Sequence, residues 1–94
     1  MRTIELSSRF KKDFKRVSAN PRYADLELLL NPILSLLVAD KPLPENCRDH
    51  FLIGNWKDYR ECHVKPDLLL IYKTKEPGVL RLARLSSHSE LFSR

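Results

Sequence analysis

The chain has 94 residues, of which 43% are hydrophobic, and a formal net charge of +5. This length and composition predict one folded domain over residues 1–94 and argue against a disordered tail. No apolar run approaches the roughly 20 residues of a membrane-spanning helix. Arg2, Glu5 and Arg9 interrupt any N-terminal signal segment. We therefore expect a cytoplasmic protein that does not bind a membrane.

The positive charge is concentrated in the first quarter of the chain. Residues 1–24 contain seven basic and two acidic residues, whereas residues 25–94 contain ten of each. A basic stripe of this kind attracts a phosphate backbone or an acidic protein partner. The alternative interpretation is a solvated helix face without a partner.

The first element is a short strand candidate at Thr3–Leu6. Ser7 or Ser8 can cap the helix that follows, because a serine hydroxyl accepts a hydrogen bond from an N–H group of the first helical turn. Apolar residues then repeat with helical spacing, at Phe10, Phe14 and Val17. This pattern predicts an amphipathic helix with one buried face.

A second, leucine-rich helix is predicted from about residue 23 to residue 39. Asn20 and Pro21 can cap and open it, since proline suits the first helical position. Pro32 lies inside this segment and removes a helical hydrogen bond. We therefore expect either a kink near residues 28–31 or two short helices in succession.

The pattern changes to β-structure after a proline-containing loop at residues 40–46. A last helical turn is expected at residues 89–92. Strand candidates lie between these segments, at Phe51–Ile53, Trp56–Val64, Leu68–Tyr72 and Val79–Leu85. Short turns imply antiparallel neighbours. We predict an α+β fold of order β-α-α-β-β-β(-β), with two N-terminal helices packed on a small antiparallel-rich sheet.

All three histidines lie in the second half of the chain, beside groups that can move or steer a proton. An imidazole ionises close to neutral pH, so it can donate or accept a proton in the cell. Glu61 and His63 would share one face of their strand, because alternate residues point the same way. If the helices cover the other face, this face is open to a substrate, and Asp67 and His88 lie near enough in the fold to reach it. The expected chemistry is cleavage of RNA without a metal.

The two cysteines, Cys47 and Cys62, are expected to be free thiols, because disulfides are rare in a reducing cytosol. A zinc site can be drawn on paper from these cysteines with His50 and His63. However, adjacent strand residues point to opposite faces, and the sequence has no C-x-x-C pair. We therefore expect no metal and no cofactor.

Several motifs resemble a known family in their order and spacing. The motifs are Phe10-Lys11-Lys12-Asp13, Pro42-Leu43-Pro44, Asp49-His50-Phe51-Leu52, Gly54-Asn55-Trp56-Lys57-Asp58-Tyr59-Arg60, His63-Val64-Lys65-Pro66-Asp67, Leu70-Ile71-Tyr72-Lys73, and Arg84 with Ser87-His88-Ser89-Glu90-Leu91-Phe92. Together they span nearly the whole chain and are similar to YafQ-type toxins of the RelE/YoeB superfamily, from bacterial type II toxin–antitoxin systems. The resemblance implies a RelE-like fold and a ribosome-dependent endoribonuclease that cuts messenger RNA and so inhibits translation.

The resemblance also implies which residues act. It places the catalytic set on His50, His63, Asp67 and His88, with Glu61 at a position that is often aspartate in the family. His50 and His88 are expected to be the acid/base pair for attack of the ribose 2′-hydroxyl on the adjacent phosphorus. Contacts with phosphate, base or ribosomal RNA are expected from Arg84, Lys57, Phe92, Lys11, Lys12 and Lys15.

The partners that the resemblance implies are a cognate antitoxin, the ribosome with its RNA, and messenger RNA, without a small-molecule cofactor. Two alternatives remain for a chain of this fold. One is a ParE-like inhibitor of DNA gyrase, and the other is a binding protein that occupies the ribosome without cutting, or an inactive member kept as an antitoxin partner. Toxicity that survives replacement of His50 and His88 by alanine would favour binding over catalysis.

Overall fold

The structure is a computed structural model that describes residues 1–75 and 77–92, except for the side chain of Phe92. The elements are β1 (Thr3–Leu6), α1 (Ser8–Ser18), α2 (Leu26–Val38), β2 (His50–Phe51), β3 (Arg60–Lys65), β4 (Leu68–Lys75), β5 (Val79–Ser86) and α3 (His88–Phe92). This order confirms the predicted α+β class. None of the helices in the described ranges has the length and apolar character needed to cross a membrane.

Within the described residues, five strands form one mixed sheet in the order β1-β5-β4-β3-β2. β1 runs parallel to β5, and the other neighbouring strands are antiparallel. β4 is central, and its residues from Leu68 to Tyr72 are all buried. β2 forms one edge of the sheet, so the strand that contains His50 borders solvent.

α1 begins at a serine cap, as the sequence predicted. The Ser7 hydroxyl accepts a hydrogen bond from the Phe10 N–H at 2.9 Å and donates to the Ala83 carbonyl at 2.7 Å. The same serine therefore caps the helix and ties it to β5. Phe10 and Val17 are buried in the core, which confirms the apolar face of this helix.

α2 is one helix from Leu26 to Val38, and Pro32 does not divide it. Of the two outcomes expected at this proline, two short helices in succession is therefore wrong. Proline costs a helix about 3 kcal/mol. The buried side chains of α2 contribute roughly 1.5–3 kcal/mol each, which outweighs that cost; they are Leu26, Leu30, Ile33 and Leu37.

α1 and α2 are separated by a 3-10 turn over Pro21–Tyr23, which lies before Pro32 in the chain. The side chain of Asn20 caps this turn by accepting a hydrogen bond from the Arg22 N–H at 3.0 Å. Asn20 and Pro21 therefore cap and open this 3-10 turn and not the leucine-rich helix, which begins at Leu26 and not near residue 23 as predicted.

β3 is shorter than the strand predicted over Trp56–Val64. A 3-10 turn occupies Gly54–Trp56, and Asp58 has a φ of 77°. An extended strand cannot pass through a residue with positive φ, so β3 begins at Arg60. Tyr59 therefore precedes the strand, and its N–H bonds to the Trp56 carbonyl at 2.9 Å.

Candidate active site

His50 and Glu61 form a pair at the edge of the sheet. They lie opposite each other on β2 and β3, with His50 Nε2 3.2 Å from Glu61 Oε1. His50 Nδ1 lies 2.6 Å from the Arg48 carbonyl oxygen. The His50 side chain is 52% exposed, whereas that of Glu61 is 6% exposed. The pair thus joins an accessible imidazole to a buried carboxyl group.

These contacts determine how many protons the pair must hold. Nδ1 of His50 has to carry a proton to bond the Arg48 carbonyl, which can only accept. Nε2 and Glu61 Oε1 then need a second proton between them, because two acceptors in contact would repel. Glu61 Oε2 is buried and has no hydrogen-bond partner among the described residues. An isolated carboxylate in that position would be costly, so the extra proton stabilises the pair.

The burial of Glu61 differs from expectation. The sequence suggested that the Glu61 face of β3 is open to a substrate, but Glu61 is only 4% exposed. His50 lies against its carboxyl group from the neighbouring strand, so the imidazole is accessible in its place. On this part of the sheet a substrate therefore meets His50 and not Glu61.

The backbone before β2 aims the Arg48 carbonyl at His50. Arg48 follows the 3-10 turn Glu45–Cys47 and has a left-handed conformation, with φ 52° and ψ 43°. That conformation costs a residue other than glycine roughly 1–2 kcal/mol. Neighbouring contacts must therefore hold the segment in place.

A polar clamp on Asp49 provides those contacts. Asp49 accepts hydrogen bonds from Arg60 Nε at 3.0 Å, from Arg60 Nη2 at 2.9 Å and from the Tyr72 hydroxyl. The Arg60 guanidinium also lies 4.2 Å from the centre of the Phe51 ring. Burial and the bond to Asp49 raise the pKa of Tyr72, so its hydroxyl remains a donor. Both sequence neighbours of His50 are therefore anchored to β3.

Asp67 lies in the turn between β3 and β4 and is held by residues that are distant in the sequence. Its Oδ2 accepts hydrogen bonds from Arg22 Nη2 at 2.8 Å and from the Tyr23 hydroxyl at 3.1 Å. Burial and the hydrogen bond to Asp67 raise the pKa of Tyr23, which keeps this phenol protonated. Sequence reasoning did not include these two partners, which are more than forty residues away.

A pocket of about 470 Å³ joins Asp67 to the start of α3. Arg16, Ser87 and Glu90 are among its lining residues. His88 is the first residue of α3 and is exposed. The structure thus brings Asp67 and the helical turn that contains His88 to one pocket.

His63 has a different environment. It lies on β3, two residues after Glu61, and is half-buried. It lines a second pocket of about 690 Å³ together with residues of α2, Arg48 and Lys65. His63 and Asp67 therefore line different pockets.

The predicted phosphate and RNA contacts also lie in different environments. Arg84 Nε and Nη2 donate to buried Asp13 at 2.7 and 3.2 Å, so part of this guanidinium is already engaged. Lys57 is exposed directly after the 3-10 turn Gly54–Trp56. The prediction for Phe92 concerns a side chain outside the described residues. The lysines predicted to meet RNA are exposed on α1, at Lys11, Lys12 and Lys15.

The two cysteines are buried free thiols. Burial raises the pKa of both Cys47 and Cys62, so both are protonated at neutral pH. Neither cysteine is therefore a thiolate nucleophile at neutral pH. Across residues 1–75 and 77–92, no three His, Cys, Asp or Glu side chains cluster closely enough to hold a metal ion.

Comparison with known proteins places this chain and its fold among bacterial toxins. Residues 2–93 match the family model described as a bacterial toxin of type II toxin-antitoxin system, YafQ. The chain is 41% identical over 91 residues to the mRNA interferase toxin YafQ of Escherichia coli, which covers 97% of this chain and 96% of that one.

Solved structures give the same result. A copper-bound mutant toxin from Helicobacter pylori superposes with a TM-score of 0.85 at 39% identity, over 98% of this chain and 100% of that one. The toxin of the E. coli DinJ–YafQ toxin–antitoxin complex superposes with a TM-score of 0.82 at 40% identity, over 97% of each chain.

A small α+β toxin fold is therefore common to all these proteins. The chain belongs to the YafQ family of bacterial toxins of type II toxin–antitoxin systems. The resemblance found in the sequence motifs is confirmed by the match over residues 2–93.

Proposed function

We propose that this chain is an mRNA interferase, a ribosome-dependent endoribonuclease that cuts messenger RNA and thereby stops translation. Membership of the YafQ family and the E. coli relative named as an mRNA interferase toxin support this activity. The observation that carries the proposal is the His50–Glu61 pair, in which an exposed imidazole is held in contact with a buried carboxyl group.

The chemistry uses general acid and base catalysis without a metal. His88 removes the proton of the ribose 2′-hydroxyl, whose oxygen attacks the adjacent phosphorus. The bond from phosphorus to the 5′-oxygen breaks, and His50 gives that oxygen a proton. The products are a 2′,3′-cyclic phosphate and a 5′-hydroxyl. We assign His50 as the acid because its contacts with Arg48 and Glu61 call for a second proton on the pair.

Other residues orient the substrate and stabilise the charge that develops on phosphorus. Asp67 and His63 orient the RNA and the imidazoles, and Arg84 with Lys57 offers cations to the phosphate. Phe92 stacks on a base. The basic residues of α1 contact ribosomal RNA through its phosphates, at Lys11, Lys12 and Lys15.

A cognate antitoxin is the proposed protein partner, and the cytoplasm is the proposed location. The E. coli relative was solved as a toxin–antitoxin complex with DinJ at 40% identity to this chain. We propose that a short chain of complementary charge neutralises this toxin, since the excess of positive charge lies in residues 1–24.

The test is primer extension on a defined messenger in a purified translation system. The wild type is expected to give discrete cuts only when ribosomes are present, and His50→Ala and His88→Ala should each remove them. Translation arrest without any cut would overturn the nuclease and identify a ribosome-binding inhibitor. Inhibition of gyrase supercoiling, again without RNA cuts, would instead identify a ParE-like inhibitor.

A further inference from the structure

The first turn of α3 is closed by a reciprocal pair of hydrogen bonds around His88. Ser87 Oγ accepts from the Glu90 N–H at 3.2 Å, and Glu90 Oε1 accepts from the Ser87 N–H at 3.2 Å. This arrangement is a capping box of the Ser-x-x-Glu type. His88 is the first helical residue inside it. The backbone of His88 is therefore fixed by the residues on either side of it.

The capping box is attached to the rest of the molecule through Glu90. Its Oε1 also accepts from the hydroxyl of Ser86, which is 0% exposed at the end of β5. Arg16 of α1 reaches the same group, with Nη2 2.8 Å from Ser86 Oγ and 3.4 Å from Glu90 Oε1. Nη1 of Arg16 in turn bonds buried Asp13 at 3.2 Å. One carboxylate oxygen thus links α3 to β5 and α1.

α3 depends on these links because it is short. It has 5 residues, whereas isolated helices below roughly 12–15 residues are marginal in water. Hydrogen bonds from Ser86 and from the Ser87 backbone lower the pKa of Glu90, so the group is ionised at neutral pH. Hydrogen bonds to an ionised acceptor are about twice as strong as neutral ones.

We propose that Glu90 is a positioning residue for His88: through Ser87 and Arg16 it holds the His88 backbone between Ser87 and Ser89, which line the Asp67 pocket. The proposal rests on the proposed endoribonuclease activity, and it adds to that activity a residue that does not touch the RNA. It also gives Arg16 and Ser86 a defined part in the site.

The experiment measures kcat and KM of ribosome-dependent cleavage for the wild type, Glu90→Ala, Glu90→Gln and Glu27→Ala. Glu27 is an exposed acid in the first turn of α2, so it is the matched control. Loss of a cap should lower kcat of Glu90→Ala about fivefold to tenfold and leave KM within about twofold. Glutamine also closes a capping box, so Glu90→Gln should stay within about threefold of the wild type.

Amide hydrogen exchange gives a second readout that does not depend on activity. The Leu91 N–H donates to the Ser87 carbonyl at 3.1 Å, and its exchange should accelerate in Glu90→Ala but not in Glu90→Gln or Glu27→Ala. Wild-type kcat in Glu90→Ala would overturn the positioning role, as would unchanged Leu91 protection. Equal impairment of Glu90→Gln would also overturn it, in favour of a purely electrostatic role. A wild type that cuts no RNA would overturn both the positioning role and the proposed function.

Discussion

The proposed role of the His50–Glu61 pair depends on the second proton that its contacts call for. In the arrangement seen here the imidazole faces an oxygen acceptor at each ring nitrogen, 2.6 Å from the Arg48 carbonyl and 3.2 Å from Glu61. A ring in this setting can give a proton to a leaving group, whereas a neutral ring can only take one at Nε2. Under the proposed mechanism, the buried carboxyl group therefore decides whether His50 is the acid or the base.

Replacing Glu61 by glutamine should reverse this preference. The amide N–H would donate to His50 Nε2 and hold the ring in its neutral form, which cannot act as the acid. Since a positioned general acid contributes typically 10²–10⁴-fold, we expect Glu61→Gln to lower kcat roughly 100-fold, with KM little changed. Single-turnover cleavage measures this effect.

The control for that substitution is Glu45→Gln, an exposed glutamate close in sequence to the same edge. It should cleave at the wild-type rate. Wild-type cleavage by Glu61→Gln would show that the acid does not depend on the Glu61 carboxyl group, and the assignment of His50 as the acid would then fail.

The sequence indicated the types of residue at the candidate site, but not the partners that hold them. Histidine, aspartate and glutamate in a strand-rich half indicated acid–base chemistry without further information. The left-handed conformation of Arg48, which aims a carbonyl at His50, has no signal in the sequence, because arginine rarely adopts it. Asp13 and Arg84 are separated by 71 positions, so neither local pattern nor spacing could pair them.

At the scale of elements, α1 is attached to β5 by a buried carboxylate. Asp13 is 3% exposed and accepts from Arg84 and from the Leu85 N–H at 3.0 Å. Burial alone would raise the pKa of Asp13, but the hydrogen bonds from Arg84 and Leu85 outweigh it and hold the pKa below its ordinary value.

A lowered carboxyl pKa stabilises the fold above the unfolded value of about 3.9, and this stability is lost as the pH falls through the folded pKa. We expect Asp13→Asn to lower the free energy of unfolding by about 3 kcal/mol at pH 7, because Arg84 loses its buried partner. Below about pH 4 the difference from the wild type should shrink. Urea unfolding between pH 7 and pH 3 measures both effects, with exposed Asp58→Asn as control. A difference independent of pH would contradict this account.

The edge strand β2 depends on the Asp49 clamp, since it has only 2 residues of its own. Tyr72→Phe removes a hydroxyl that donates to Asp49 and should destabilise the protein by about 1–2 kcal/mol. The Leu52 N–H, bonded to the Tyr59 carbonyl at 2.9 Å, should then exchange faster. Tyr23→Phe removes a hydroxyl elsewhere and should leave this exchange unchanged. Equal exchange in all three proteins would show that the clamp does not hold β2.

The boundaries of the elements were predictable only where the local signal agreed with the tertiary packing. β1 and the cap of α1 agreed in this way, and both are found as predicted. The start of β3 was missed because alternation of residues continues through Trp56 and Asp58, whereas the backbone does not remain extended there. Pro32 on its own predicted a kink or a break in the helix. Burial of the apolar face of α2 outweighs the cost of this proline, and the helix continues through it.

At the scale of the whole molecule, the excess positive charge and the proposed catalytic histidines lie in different parts of the chain. The excess of +5 is contributed by residues 1–24, whereas His50 lies on β2 and His88 begins α3, both in the second half of the chain. Lys11, Lys12 and Lys15 are exposed on α1 and do not support the core. Binding to the ribosome and cleavage should therefore be separable by mutation.

Replacing these three lysines by glutamine should weaken ribosome binding without slowing the chemical step. Each lysine that neutralises a phosphate contributes nearly one unit to the slope of log K against log salt concentration. We expect the triple variant to lower that slope by roughly 2–3 and to raise KM, with kcat within about twofold and stability unchanged. Exposed Lys41→Gln, compared with Lys12→Gln alone, controls for the loss of one charge elsewhere on the surface. If the triple variant kept the wild-type salt slope, α1 would be a solvated face, and recognition of the ribosome would have to come from the sheet.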